Sequence, residues 1–137
     1  MRVLMIVVCV CFILLNANES LACLCKPEST GHAIKRLRKE AKVIFVGKVR
    51  NVRKEKGGYI ATFDIEKSWK GDRVSEFDVY TEGDCAAWFV TGRIYLVYAA
   101  QNDKHNLETD VCMRTRLLVY AMEDLKRLGK PRDFPQP

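Results

Sequence analysis

The sequence predicts an α+β chain, mainly β, with five short strands that close or nearly close into a small barrel flanked by two helices. Three observations carry this expectation. Apolar, β-branched and aromatic residues recur with strand-like patterning over residues 43–53, 59–66, 76–81 and 94–99. Turn signals such as Lys56-Gly57-Gly58 and Ser68-Trp69-Lys70-Gly71-Asp72 separate these runs at short intervals. Helical spacing is confined to two stretches, 28–42 and 115–128. This order of elements fits an OB-fold-like barrel, the oligonucleotide/oligosaccharide-binding type, with helices packed on it.

The chain begins with the positive Met1-Arg2, an unbroken apolar run of 13 residues at 3–15, and small residues in Ser20-Leu21-Ala22. These are the marks of a signal peptide cut after Ala22, so we expect residues 1–22 to be removed and 23–137 to form a single domain. The apolar run is shorter than the roughly 20 residues that span a bilayer, which sets this reading against a retained membrane anchor. A bacterial lipoprotein signal would want a large aliphatic residue three places before Cys23, where Ser20 stands. The remaining 115 residues are the size of one ordinary domain. Cleavage removes Arg2 and Glu19 alone among the charged residues, so the net charge stays at +6. Such a balance favours acidic partners, and for an exported chain heparin-like glycans or extracellular matrix come before nucleic acid. We expect a secreted monomer with no membrane span and no nucleic-acid partner.

Taken in order, residues 28–42 read as a helix capped by Ser29 or Thr30, with Ala33, Ile34, Leu37 and Ala41 facing a core. Its other face carries Lys35, Arg36, Arg38 and Lys39, a candidate glycan-binding set whose simpler reading is a solvated surface. A long strand over 43–53 bends at Gly47. After the Lys56-Gly57-Gly58 turn, Tyr59, Ala61, Phe63 and Ile65 alternate with Ile60, Thr62, Asp64 and Glu66 to complete a hairpin. A third strand over 76–81 places Phe77, Val79 and Thr81 on one face, and Cys85 follows at a loop edge. Residues 94–99 read as a central strand buried on much of both faces, and 107–114 as a last strand bearing Cys112. Thr115 can then cap a helix with Leu117, Leu118, Ala121, Met122, Leu125 and Leu128 on one stripe, stopped by Gly129 and Pro131. Residues 133–137 read as a loose tail.

Of six cysteines, Cys9 and Cys11 leave with the signal, and Cys23, Cys25, Cys85 and Cys112 form an even set in a chain bound for an oxidising compartment. Two disulfides are the expected outcome. A bridge between Cys23 and Cys25 across one residue would be badly strained, so one N-terminal Cys reaches Cys85 and the other Cys112, with spacing silent on which. Closed singly, loops of this length give about 4 kcal/mol each. The bridges would staple the extreme N-terminus to two places in the body. A zinc site built from these thiolates with His32 or His105 competes, but neither spacing nor compartment suits it. No enzyme is expected: a bridged Cys is no nucleophile, and Asp64, Glu66 and Asp84 show no general acid and base pattern. Trp69 and Trp88 read as core or rim, and no glycine loop to cradle phosphate is present.

Cys23-x-Cys25-x-Pro27 straight after the cut, residues 43–47, Trp69-Lys70-Gly71, Cys85 with Phe89 and Gly92, and Leu107-x-Thr109-x-x-Cys112 form an ordered set. Together they resemble the netrin-like module and, within it, the inhibitory domain of the tissue inhibitors of metalloproteinases, over nearly all of residues 23–137. The resemblance implies a five-stranded barrel and the pairings Cys23–Cys85 and Cys25–Cys112. It further implies that the amine and carbonyl of Cys23 chelate the catalytic zinc of a secreted metalloproteinase while Leu24 enters the adjacent pocket. The binding segment would be Cys23, Leu24, Cys25, Lys26 and Pro27, with no cofactor of its own and zinc only in the target. The sequence departs from that family in carrying Leu24 where a small polar residue is usual. Its four cysteines also cannot supply the family's third bridge or second, Cys-rich domain. Netrin-like modules elsewhere need not inhibit, and a matrix-binding module is the alternative the resemblance allows.

Overall fold

The computed structural model describes residues 23–132; the expected signal peptide, 1–22, and tail, 133–137, lie outside them. Two strands of 13 residues, β1 (Val43–Glu55) and β2 (Gly58–Lys70), frame the molecule. They run antiparallel around Lys56-Gly57, and Gly57 takes φ +85°, a value cheap only for glycine. Their register shifts between Val46 and Gly47, where the bend is expected. A Cβ on Gly47 would lie 2.9 Å from the Asp64 carbonyl oxygen and 3.1 Å from the Phe45 ring, so only glycine lets the strands approach this closely.

β3 (Glu76–Glu82) adds antiparallel to β2, and β4 (Ile94–Asn102) to the first half of β1. The short β5 (Asn106–Glu108) returns along β4 and meets β3 in a parallel pairing of Tyr80 with Glu108. That contact closes a ring of five strands in the order β1-β2-β3-β5-β4. A two-residue β6 (Arg116–Leu117) lies against the start of β4. The chain is therefore mainly β, with helices α1 (Thr30–Glu40) and α2 (Met122–Leu128) packed outside the ring. Among the described residues no helix is long and apolar enough to cross a membrane.

The two-residue period of β1 and β4 makes two cores. Val43, Phe45 and Val49 with Tyr95, Val97 and Ala99 point inward to Ala61, Phe63, Val79 and Leu107. Ile44 and Val46 with Leu96 and Tyr98 point outward to Ile34, Leu37 and Ala41 of the α1 segment and to Ala121 and Leu128 at α2. Strands buried on both faces lose the polar alternation of a half-exposed strand. Trp69 is half-buried on the outer core, its indole N–H donating to the Gly129 carbonyl at 2.8 Å.

Three expectations are corrected. The first helix is shorter than 28–42, because Ser29 caps it and Glu28 belongs to the preceding arm. The strand expected over 107–114 ends at Glu108. Asp110 accepts the Met113 N–H at 2.9 Å, so Cys112 sits instead in a 3-10 turn (Val111–Met113). The helix expected from Thr115 starts only at Met122, after β6 and a 3-10 turn (Leu118–Tyr120). Thr115 does not cap it. Its buried hydroxyl accepts from the Tyr98 N–H at 3.0 Å and lies 2.7 Å from the Thr109 hydroxyl, inside the fold. Pairing of Leu117 with Tyr95 outweighs the helical spacing, and Val119, Tyr120 and Met122 are left exposed.

Phe63 stacks edge-on against Phe45, Phe89 and Tyr95 within the ring. Phe63→Ala should lower the unfolding free energy by about 3–5 kcal/mol in chemical denaturation. Tyr120→Ala, at an exposed position, should change it by less than about 0.5 kcal/mol.

Candidate functional site

Residues 23–29 form an arm without regular secondary structure. Its backbone is not held by a ladder, so its anchors are side chains. Cys23 is bonded to Cys85 and Cys25 to Cys112, with Cα separations of 5.0 and 5.2 Å. This is the pairing the resemblance implies. The bridges lie side by side, the Cys23 sulfur standing 3.6 Å from that of Cys112. At the arm's far end the Arg36 guanidinium hydrogen-bonds Glu28 and holds its carboxyl below the usual glutamate range, and Ser29 accepts the His32 N–H to start α1.

The loops that receive the bridges are tied to each other. The Val111 N–H donates to the Cys85 carbonyl at 2.9 Å, and Ala86 pairs with Asp110 in an isolated bridge. On the Cys85 side, the Ala87 N–H donates to the buried Thr81 hydroxyl at 2.8 Å. On the Cys112 side, Arg114 adopts a left-handed φ of 61° and sends its guanidinium to Asp124 in two hydrogen bonds of 2.8 and 2.7 Å. Asp124 is only 1% exposed. The Tyr98 hydroxyl also donates to it, and burial followed by the Asp124 charge raises that hydroxyl well above its ordinary pKa, so it stays a donor. A buried carboxylate so surrounded is compensated.

Between the bridges, Leu24 is 91% exposed, and Cys25, Lys26 and Pro27 are exposed with it. The expected binding segment therefore sits at one place, as a ridge rooted at Cys23, which is half-buried. The sulfurs of Cys23, Cys25 and Cys112 fall within 4.8 Å of one another. All three are spent in bridges, so they offer no thiolate to a metal. His105 stacks on Tyr80 with ring centroids 3.7 Å apart, and His32 is exposed on α1.

The candidate glycan residues share α1 but not a common state. Arg36 is engaged by Glu28 and Glu40, and Arg38 donates to the Leu128 carbonyl at 2.6 Å. Lys35 and Lys39 are exposed and have no ion pair among the described residues. Lys70, Arg38 and Lys130 line a groove of about 300 Å³ beside Trp69.

Two contributors escape the sequence reading. Asp124 lies three residues after Ala121 and four before Leu128, a spacing that puts it on the buried side of α2. Trp88 reads as core or rim, and of the two it is not core: the residue is 81% exposed while its neighbour Phe89 packs inward. Replacing Arg114 with Ala strands the Asp124 carboxylate and should cost about 3–5 kcal/mol in chemical denaturation. Amide exchange at 111–113 should accelerate with it, since the turn loses its clamp. Compared with known proteins, the chain matches no family model and no curated sequence.

Proposed function

We propose that the chain is a secreted inhibitor of zinc metalloendopeptidases that acts once residues 1–22 are removed and Cys23 carries a free α-amino group. The observation that carries this reading is the arm: Leu24 stands 91% exposed between two cysteines, each covalently fixed to a different loop. A catalytic zinc keeps an open coordination position for water. The Cys23 amine would take that position in place of the water, the carbonyl would add as a fifth ligand, and Leu24 enters the apolar pocket beside it. A free α-amino group has a pKa of roughly 7.7–8.0, so losing its proton at neutral pH is inexpensive. Two bridges remove beforehand the disorder that binding would otherwise have to remove, which is how rigid inhibitors gain affinity.

The ring of five strands with two outer helices supports the barrel of oligosaccharide-binding type that the resemblance to the tissue inhibitors of metalloproteinases implies. Leu24 in place of a small polar residue directs the inhibitor toward proteases with a deep apolar pocket. The test is a single added residue. Protein beginning at Cys23 should inhibit the catalytic domain of a secreted zinc endopeptidase, and protein with one Ala before Cys23 should lose that inhibition. Equal potency of the two would refute chelation by the amine.

A second reading, binding of sulfated glycans, is favoured by the groove between Arg38, Lys70 and Lys130. Elution from heparin should shift to lower salt in a Lys70→Gln, Lys130→Gln variant. An unchanged elution position would dismiss that site.

A further inference from the structure

The arm is too small to make an interface alone. Stable protein–protein interfaces bury about 1,200–2,000 Å² in total, with roughly 20–30 residues a side. A partner gripping Leu24 must also cover surface beside it, and the Cys23–Cys85 bridge brings the loop that follows Cys85 within reach. Trp88 follows Cys85 by three residues, a reach of at most about 10 Å. Trp88 is 81% exposed and Val90 56%. Exposed apolar groups scattered singly need no explanation. This one differs in how its backbone is held.

Tyr95, buried in the ring, donates its hydroxyl to the Trp88 carbonyl and accepts the Val90 N–H, both at 3.1 Å. The Phe89 ring between them packs edge-on against Phe63 and Tyr95, with centroids 5.0 and 5.1 Å away. With the Ala87 N–H also held by the buried Thr81 hydroxyl, the loop is fastened before and after Trp88, while the Trp88 side chain is left outside the core. Beside it opens a cleft of about 150 Å³ lined by Val52, Tyr59, Ala86, Ala87, Trp88 and Phe89. That volume is close to the size of cavity that admits a benzene ring.

We propose that Trp88 and this cleft are a second anchor of the inhibitory ridge, receiving an apolar side chain from the rim of the target protease's active-site cleft. The proposal rests on the inhibitor reading above. Tryptophan in a preformed apolar setting is the residue type that most often dominates an interface. Here the preorganisation comes from the same loop that holds Cys85, so wedge and anchor move as one unit. Trp88 then sets how long a bound protease is retained, while the Cys23 amine sets whether its zinc is blocked.

The experiment compares protein beginning at Cys23 with its Trp88→Ala and Trp88→Phe variants, using association and dissociation rates on the catalytic domain of a zinc endopeptidase that the unaltered protein inhibits. Trp88→Ala should weaken binding by about 30-fold or more, chiefly through faster dissociation, and Trp88→Phe should fall between. Denaturation midpoints should agree across the three proteins, because the indole is exposed. Inhibition by the unaltered protein with Trp88→Ala within about twofold of it overturns the second anchor and leaves the inhibitor reading standing. Failure of the unaltered protein, with a verified free Cys23 amine, to inhibit any of a panel of such proteases overturns both.

Discussion

A seven-residue arm with no backbone ladder is held in one place by what it is attached to, and both of its covalent bridges lead to loops. The hydrogen bond from the Val111 N–H to the Cys85 carbonyl joins those loops into one support. The pairings of Ala86 with Asp110 and of Tyr80 with Glu108 join the same two segments, so both bridges end on one support. Through it, the arm inherits the rigidity of the ring. β3 ends at Glu82 shortly before Cys85, and β5 ends at Glu108 shortly before Cys112, so the pairing of Tyr80 with Glu108 brings both loops to the same end of the molecule.

The rest of the fold secures that meeting point from behind. Thr109 and Thr115 flank the Cys112 turn, and both hydroxyls bond to the backbone of Tyr98 in the outer face of β4. Arg114 between them reaches Asp124 on α2, so the second helix is tied to the turn by charge as well as by packing. β4 can serve both purposes because its inward residues fill the ring and its outward residues fill the helix interface. A strand buried on one face alone could not connect the aromatic interior to the clamp on Cys112.

Much of this was legible in the sequence where a local rule coincided with the tertiary result. Ala33, Ile34, Leu37 and Ala41 sit at helical spacing and are buried, and Gly47 marks one of the irregularities in β1. The larger failures fall between residues 107 and 121, where non-local contacts decide. Asp110 diverts the backbone into a turn, Thr115 is drawn into a buried hydroxyl pair, and Leu117 is captured by β4. No window of neighbouring residues contains Tyr98, Tyr95 or Cys85, the partners that set this segment. Of the arm, the two bridges could be expected, because four cysteines form an even set and a bridge between Cys23 and Cys25 would be strained. The exposure of Trp88 could not, because it depends on Tyr95 pinning the loop from the opposite side.

β4 pairs with β1 only from Val43 to Lys48, and from Arg50 onward the far side of β1 has no strand beside it among the described residues. Six residues of open edge, 50–55, invite a second molecule to add itself as another strand. The stretch answers that hazard in its own composition, with Arg50, Arg53, Lys54, Glu55 and a register break between Val49 and Asn51. Arg50 and Arg53 are also committed across the sheet, to Asp64 with Glu76 and to Asp78, so their charge is held along the rim. The ring can therefore leave part of itself unzipped without becoming a template for fibrous aggregation.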